Sequence, residues 1–222
     1  METAVRLVDA VVLSGGFPVL AGLTLSITGG QVVWVRGPNG AGKTSFLRTI
    51  AGLMPLSSGD GNVVGCDLRS QRVQLRQRVG WLGAHVGLYG ELTVAENLRF
   101  VLRARGVRAR EMPDLVALVD AVGLTPRVLD VAVRDLSTGQ RRRVALAVLT
   151  QRRAPLWLLD EPHAGLDPSG LGVVDRVIEE ASTRGTTVVV VSHDHRRASA
   201  LCTGTVALAG GHVESVSGAG IS

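Results

Sequence analysis

The sequence predicts an α/β fold, and three observations carry that prediction. Short apolar runs closed by glycine or charge, such as QVVWVR (31–36), PLWLLD (155–160) and VVVVS (188–192), have the length and composition of buried strands. Between them lie longer stretches of helical period, among them KTSFLRTIAG (43–52) and LSTGQRRRVALAVL (136–149). Composition agrees. Twenty-eight glycines and 3% aromatics among 222 residues suit many tight turns, and 45% apolar content is enough for one large domain or two small lobes around a proper core.

Composition also excludes several classes. The longest apolar stretches, APLWLL (154–159) and TTVVVVS (186–192), fall far short of the roughly 18 residues a membrane span requires, so no transmembrane helix is expected. The start, METAVRLVDA, is acidic and lacks a basic-then-apolar organisation, so the expectation is a chain that stays in the cytoplasm. Cys66 and Cys202 stand far apart without paired spacing, which signals neither a disulfide framework nor a zinc site. A net charge of +5 would suit a nucleic acid or an anionic membrane surface, but the arginines are scattered along the chain and no specific nucleic-acid partner is expected.

Lys43 is the only lysine beside twenty-three arginines. Arginine is a rigid fork of donors, whereas the lysine ammonium is a compact charge on a thin stem that reaches between phosphates inside a tight backbone cradle. The surroundings fit that use. GPNGAGKT (37–44) lies between the strand 31–36 and the helix from 43, in the pattern G-x-x-x-x-G-K-T. Glycines there let backbone N–H groups turn to phosphate oxygens, the helix N-terminus adds positive potential, and Thr44 can offer its hydroxyl to Mg²⁺. The alternative is a plain glycine-rich turn from strand to helix.

Phosphoryl transfer needs more than a cradle. It needs a metal-bound carboxylate and a group that positions the attacking water. PLWLLDEP (155–162) ends a strand in Asp160 and Glu161. Asp160 would face Mg²⁺ and Glu161 the water, although an acidic pair closing a strand is by itself more often a solvated turn. Ser137 is a good N-cap for the helix that follows it, which is also the bland reading of LSTGQ. HAGLD (163–167) precedes a helix expected from about Pro168 to Ser182, with proline in its first turn. VVVVSHDH (188–195) is a buried strand running to His193.

The order GPNGAGKT, LSTGQ, LLDEP, GLD, SHD resembles the ATP-binding cassette of ABC transporters over essentially the whole chain. The resemblance implies a P-loop NTPase fold of the ABC type, with a mixed sheet core, an antiparallel β subdomain and an inserted helical subdomain. It makes residues 1–222 a single ATP-binding domain, with a core lobe of 1–84 and 154–222 and a helical lobe of about 85–153. It implies Gly37, Pro38, Asn39, Gly40, Ala41, Gly42, Lys43, Thr44 and Ser45 as the phosphate loop, Thr44 and Asp160 as Mg²⁺ partners, Glu161 as catalytic base, and His193 as the γ-phosphate contact. Phe17 would stack on adenine, or serve as a turn or core residue. Ser137, Gly139 and Gln140 would cap the ATP of a second cassette, most simply a second copy of this chain, with Asp167 along the seam. ATP would close the pair and hydrolysis release it, moving separate transmembrane permease subunits docked between the lobes. The chain would then sit peripherally on the cytoplasmic face of the membrane.

A helical lobe is also legible in TVAENLRFVLRARG (93–106) and EMPDLVALVDAVG (111–123), both helical in period and ending at glycines, with the arginines of 99–110 forming one solvated face. After the strand VGWLG (79–83) the family places a metal-sensing glutamine, where this chain has Ala84 followed by His85. Either His85 takes that role or it is an ordinary loop residue. WLGAHVGLYGELTVAENLRF (81–100) is similar to the ATPase subunits of haem exporters in cytochrome c maturation, whose histidine usually sits one place earlier. The short end after GGHVESV (210–216) agrees with that group, and ELTVAENLRF also resembles drug or lipid exporters. A soluble cassette acting on nucleic acid or ribosomes, and a non-catalytic dimerisation module, are the readings from other classes.

Overall fold

Strand patterning divides the β structure into two sheets. In the computed structural model, which describes residues 2–83 and 85–222, β1 (Thr3–Ser14) and β2 (Phe17–Thr28) pair antiparallel across the Gly15-Gly16 turn, their inward positions buried in rough alternation. With β4 (Ser58–Val63) and β5 (Cys66–Asp67) they form a four-stranded sheet in the order β2-β1-β4-β5. The second sheet has six strands: β3 (Val32–Arg36), β6 (Val79–Leu82), β7 (Leu156–Asp160), β8 (Thr187–Val191), β9 (Gly204–Ala209) and β10 (His212–Gly218). Their order is β10-β9-β3-β8-β7-β6, parallel throughout except for the β9–β10 hairpin. Every residue of β7 and β8 is buried, as expected of central parallel strands covered on both faces.

The chain separates into two compact units, Met1–Gly83 with Arg153–Glu161 and Ile178–Ser222, and Ala84–Arg152 with Pro162–Val177. Both sheets belong to the first. Its core gathers Leu7 and Leu23 from the antiparallel sheet, Leu158 and Val189 from the parallel one, and Phe46, Leu47 and Ile50 from α1 (Lys43–Ile50). The apolar face of α1 is thus sealed in the core while its first residue, Lys43, belongs to the glycine-rich loop 37–44. At the periphery α2 (Arg72–Arg78) buries Leu75, and α7 (His195–Leu201) buries Ala198.

The second unit holds α3 (Val94–Ala104), α4 (Leu115–Ala121), α5 (Thr138–Thr150) and the first part of α6 (Pro168–Thr183). Thr93 and Glu96 form a reciprocal capping box at the start of α3. One turn in, Asn97 is fully buried and acts as a stitch: its amide donates to the carbonyls of Tyr89, Leu92 and Thr93, and its oxygen accepts the Tyr89 N–H. The stretch 111–123, expected to be helical throughout, begins its helix only at Leu115. Pro113 disfavours helical backbone at the residue before it, and Asp114 is the N-cap, accepting from the Val116 N–H at 2.9 Å. The helix expected over 168–182 runs from Pro168 to Thr183. The arginines at 99, 103, 108 and 110 are exposed, as a solvated face requires, while Arg105 reaches back to the Val148 carbonyl.

Asn97→Ala takes these partners from the part-buried hydrogen bonds at Tyr89, Leu92 and Thr93. The expected cost is roughly 1–3 kcal/mol of unfolding free energy, to be read from denaturant melts.

Candidate functional site

The loop 37–44 reaches its shape because glycine alone fits at its ends. Gly37 has φ +147°, and a Cβ there would stand 2.1 Å from the Leu208 carbonyl oxygen. Gly42, the residue before α1, has φ +95°, and its Cβ would stand 2.6 Å from the carbonyl oxygen of Val19 on β2. Neither neighbour can give way without breaking strand backbone. Lys43 is 8% exposed and curls into the loop, its Nζ donating to the carbonyls of Gly37 (2.8 Å) and Pro38 (2.9 Å). Ala41 is buried, while Pro38, Asn39, Gly40 and Ser45 retain partial or full exposure. Phe17, at the start of the strand that lies against Gly42, is 76% exposed, a solvent-facing aromatic and not a core residue.

The parallel strands deliver the carboxylates. Asp160 closes β7, is 5% exposed, and accepts a hydrogen bond from Thr44 Oγ1 at 3.1 Å. Glu161 follows with φ +52°, a left-handed backbone in a residue other than glycine. Its N–H donates to the Val191 carbonyl at the end of β8 (2.9 Å), and its carboxylate faces the segment leaving that strand. There the His193 Nε2 lies 3.4 Å from Glu161 Oε1, and the His193 N–H donates to Oε2 at 3.3 Å. Trp34 of β3 braces this segment: its indole N–H donates to the Ser192 carbonyl at 3.1 Å, and its ring meets that of His195 edge-on at 5.0 Å. Lys43, Thr44, Asp160, Glu161 and His193 are therefore linked in two bonded pairs and one loop within the first unit.

Within the second unit, Ser137 and Gln140 cap each other. Ser137 Oγ accepts the Gln140 N–H (3.1 Å) and Gln140 Oε1 accepts the Ser137 N–H (2.9 Å). Gly139 lies under the 163–167 segment, where a Cβ would come within 2.8 Å of the Gly165 carbonyl oxygen. Asp167 accepts from Ser169 Oγ (2.6 Å) and the Gly170 N–H (3.2 Å), with Arg143 at 4.0 Å. The Ser169 bond above all, helped by Gly170 and Arg143, holds its carboxyl below the usual aspartate range. His85 is exposed and lines a cleft of about 480 Å³ shared with Leu88, Val133, Arg134 and Arg141. Ala84, the position of the missing glutamine, lies outside the described residues. Buried His163 pairs with the partly exposed Asp175 at 2.8 Å, a contact that the sequence reading did not single out.

The family profile described as ABC transporter matches residues 20–164, well over half of the chain. The chain belongs to the ABC transporter family. Curated relatives in this family include the cytochrome c biogenesis ATP-binding export protein CcmA of Xanthomonas campestris pv. campestris, 40% identical over 79% of this chain and 80% of the relative. A second such protein, CcmA 2 of Cupriavidus metallidurans, is 40% identical over 81% and 84%. Among solved structures, the ATP-binding cassette MJ0796, described as a dimer in a post-hydrolysis state bound to ADP and Pi, superposes with a TM-score of 0.88 over 96% of this chain and 98% of that one, at 24% identity. The fold is therefore that of the ABC ATPase cassette, with a mixed sheet, an antiparallel sheet and helices. The protein is the ATP-binding, ATP-hydrolysing subunit of an ABC transporter.

Gly42→Ala combines a left-handed φ with a backbone clash. It is expected to cost roughly 1–3 kcal/mol, visible as a lowered thermal midpoint of the intact chain.

Proposed function

We propose that the chain is one of two cassettes that power an exporter, that two copies of it enclose two ATP molecules, and that the exported cargo is haem for cytochrome c biogenesis. The observation that carries the catalytic part is the pairing of Thr44 with Asp160 and of Glu161 with His193 at the carboxyl ends of adjacent parallel strands, the place where α/β sheets take ligands. The cargo rests on the relatives that bear the CcmA name at about 40% identity.

In this reading the N–H groups of residues 40–45 and the Lys43 ammonium hold the phosphates, and Phe17 offers its exposed ring to adenine. Mg²⁺ suits the donor set, since a hydroxyl and a carboxylate within hydrogen-bond distance of one another are hard oxygen ligands, to which the nucleotide adds its phosphate oxygens. Thr44 and Asp160 would hold the ion, which neutralises charge on the phosphates when bound. Glu161 accepts the proton of the attacking water, and His193 fixes the carboxylate on one side while presenting its ring to the γ-phosphate.

Ser137, Gly139 and Gln140 open α5, whose N-terminus carries positive potential suited to a triphosphate. They serve the nucleotide bound by the partner cassette, with Asp167 along the shared seam. Among the described residues no helix is long and apolar enough to cross a membrane. The spans belong to separate permease subunits, and the chain works against them from the cytoplasmic face. His85, on the cleft of the second unit, stands in for the family's glutamine.

Two measurements test this. Lys43→Arg keeps the charge but replaces a slim ammonium with a bulky fork, so calorimetry should show ATP affinity reduced about tenfold or more; unaltered affinity would remove Lys43 from the phosphate site. Glu161→Gln should abolish turnover and trap an ATP-dependent dimer on size exclusion, whereas wild-type hydrolysis would take the role of base from Glu161. Copurification with a haem-handling permease would support the cargo assignment, and copurification with a drug or lipid permease would replace it.

A further inference from the structure

We propose that Trp34 is a positioning residue: its indole holds the peptide group between Ser192 and His193 in the plane from which that peptide's N–H reaches the Glu161 carboxylate. The inference rests on the reading of Glu161 as the base, and goes beyond it by naming what aims carboxylate and histidine at each other. Every group involved belongs to the first unit.

Two bonds running in opposite directions join Glu161 to the segment leaving β8. The Glu161 N–H donates to the Val191 carbonyl at 2.9 Å, and the His193 N–H donates to Glu161 Oε2 at 3.3 Å. Only the φ and ψ of Ser192 lie between those two anchors. The far end of the Ser192–His193 peptide, its carbonyl, accepts the Trp34 indole N–H at 3.1 Å in a buried bond. In a planar trans peptide the C=O and N–H point in opposite directions, so a partner that fixes the carbonyl also fixes the direction of the N–H. Trp34 thereby sets both the N–H that Glu161 accepts and the backbone that carries the His193 ring, whose Nε2 lies 3.4 Å from Glu161 Oε1. A carbonyl that accepts a hydrogen bond also polarises the N–H of its own peptide, which strengthens the bond to the carboxylate.

Trp34 and Ser192 are each 5% exposed, so water does not readily stand in for the indole, whereas the His193 side of the peptide faces solvent. The indole is itself held. Trp34 is laddered to Val190 on one side and Thr205 on the other. Its ring meets that of His195 edge-on at 5.0 Å, and the Arg36 guanidinium lies 5.9 Å from its centroid.

Filling space does not account for a tryptophan here. The other buried residues of β3 are Val32, Val33 and Val35, the ordinary choice for a central parallel strand. Trp34 differs from them in carrying a donor, and that donor is directed at a peptide whose other end bonds the Glu161 carboxylate.

The test is ATPase kinetics on the intact chain, with ATP binding measured by calorimetry, folding by thermal melts and the His193 amide by NMR. Two replacements remove the donor: Trp34→Phe, which keeps a buried aromatic ring, and the benzothienyl analogue of tryptophan at position 34, which keeps the indole shape with sulfur in place of N–H. Each should lower kcat about tenfold or more while KM for ATP stays within about twofold, since misplacement of a reacting group costs rate and not ground-state binding. In both, the His193 amide should exchange about threefold faster or more while the amides of Val189 and Val190 stay protected. Fluorotryptophan at position 34, which retains the N–H, should keep kcat within about twofold of wild type. Should Trp34→Phe fail to fold, the benzothienyl analogue decides the matter. Wild-type kcat in the folded benzothienyl protein, a loss carried by KM, or a His193 amide that exchanges as in wild type would each overturn the proposal. Glu161→Gln in parallel separates the two layers: wild-type turnover in that variant removes the base, while its inactivity beside a fully active benzothienyl protein removes only the positioning role.

Discussion

The register of β7 against β8 is the constraint on which the placement of Asp160, Glu161 and His193 depends. Leu156 pairs with Thr187 and each following residue with the next, so that Asp160 stands beside Val191. On its other edge β8 holds Val191 level with Val35 of β3, one residue before Arg36 and two before Gly37. The glycine-rich loop 37–44, the two carboxylates and the histidine segment therefore leave three adjacent strands at the same height. Side chains alternate across a sheet, so a slip of one residue would turn Asp160 away from Thr44 and put Val191 out of reach of the Glu161 N–H. What secures the register is the burial of every side chain in both strands.

That burial is also why much of the fold was legible in the amino-acid sequence. A strand covered on both faces is an unbroken apolar run, and its end is marked by the first polar side chain, here Asp160 and Ser192, each buried. Local chemistry did the same for helices: Ser137 and Thr93 announce their helices because each cap closes within four residues. The antiparallel sheet was different. It entered through family resemblance, because β1 departs from regular alternation, with register shifts around a left-handed Asp9 that blur its period. The late start of α4 was written in Pro113 and Asp114, but a window of helical period overran both.

Long-range pairings were not legible. Asn97 is one polar residue in an amphipathic helix until the 89–93 loop folds back on it, and His163 and Asp175 lie twelve residues apart across a turn that only tertiary structure closes. A sequence shows residue types and spacing; it does not show that a histidine is buried or that a glutamate is left-handed. The second unit makes the same point with Gly139. Its glycine is demanded by the Gly165 carbonyl pressed against it, so that LSTGQ owes one letter to packing within its own unit, apart from anything it does for a nucleotide.

Lys43 has a practical corollary. It supplies the only side-chain amine in the chain, and that amine sits almost wholly enclosed, donating to two carbonyls of its own loop. Acylating reagents that mark dozens of places on an ordinary protein find here a single internal target, and one they can reach only when the loop lets go of it. The yield of that adduct, weighed on the peptide that carries Lys43 so that the chain's α-amine is not counted with it, becomes a direct gauge of how often the loop opens.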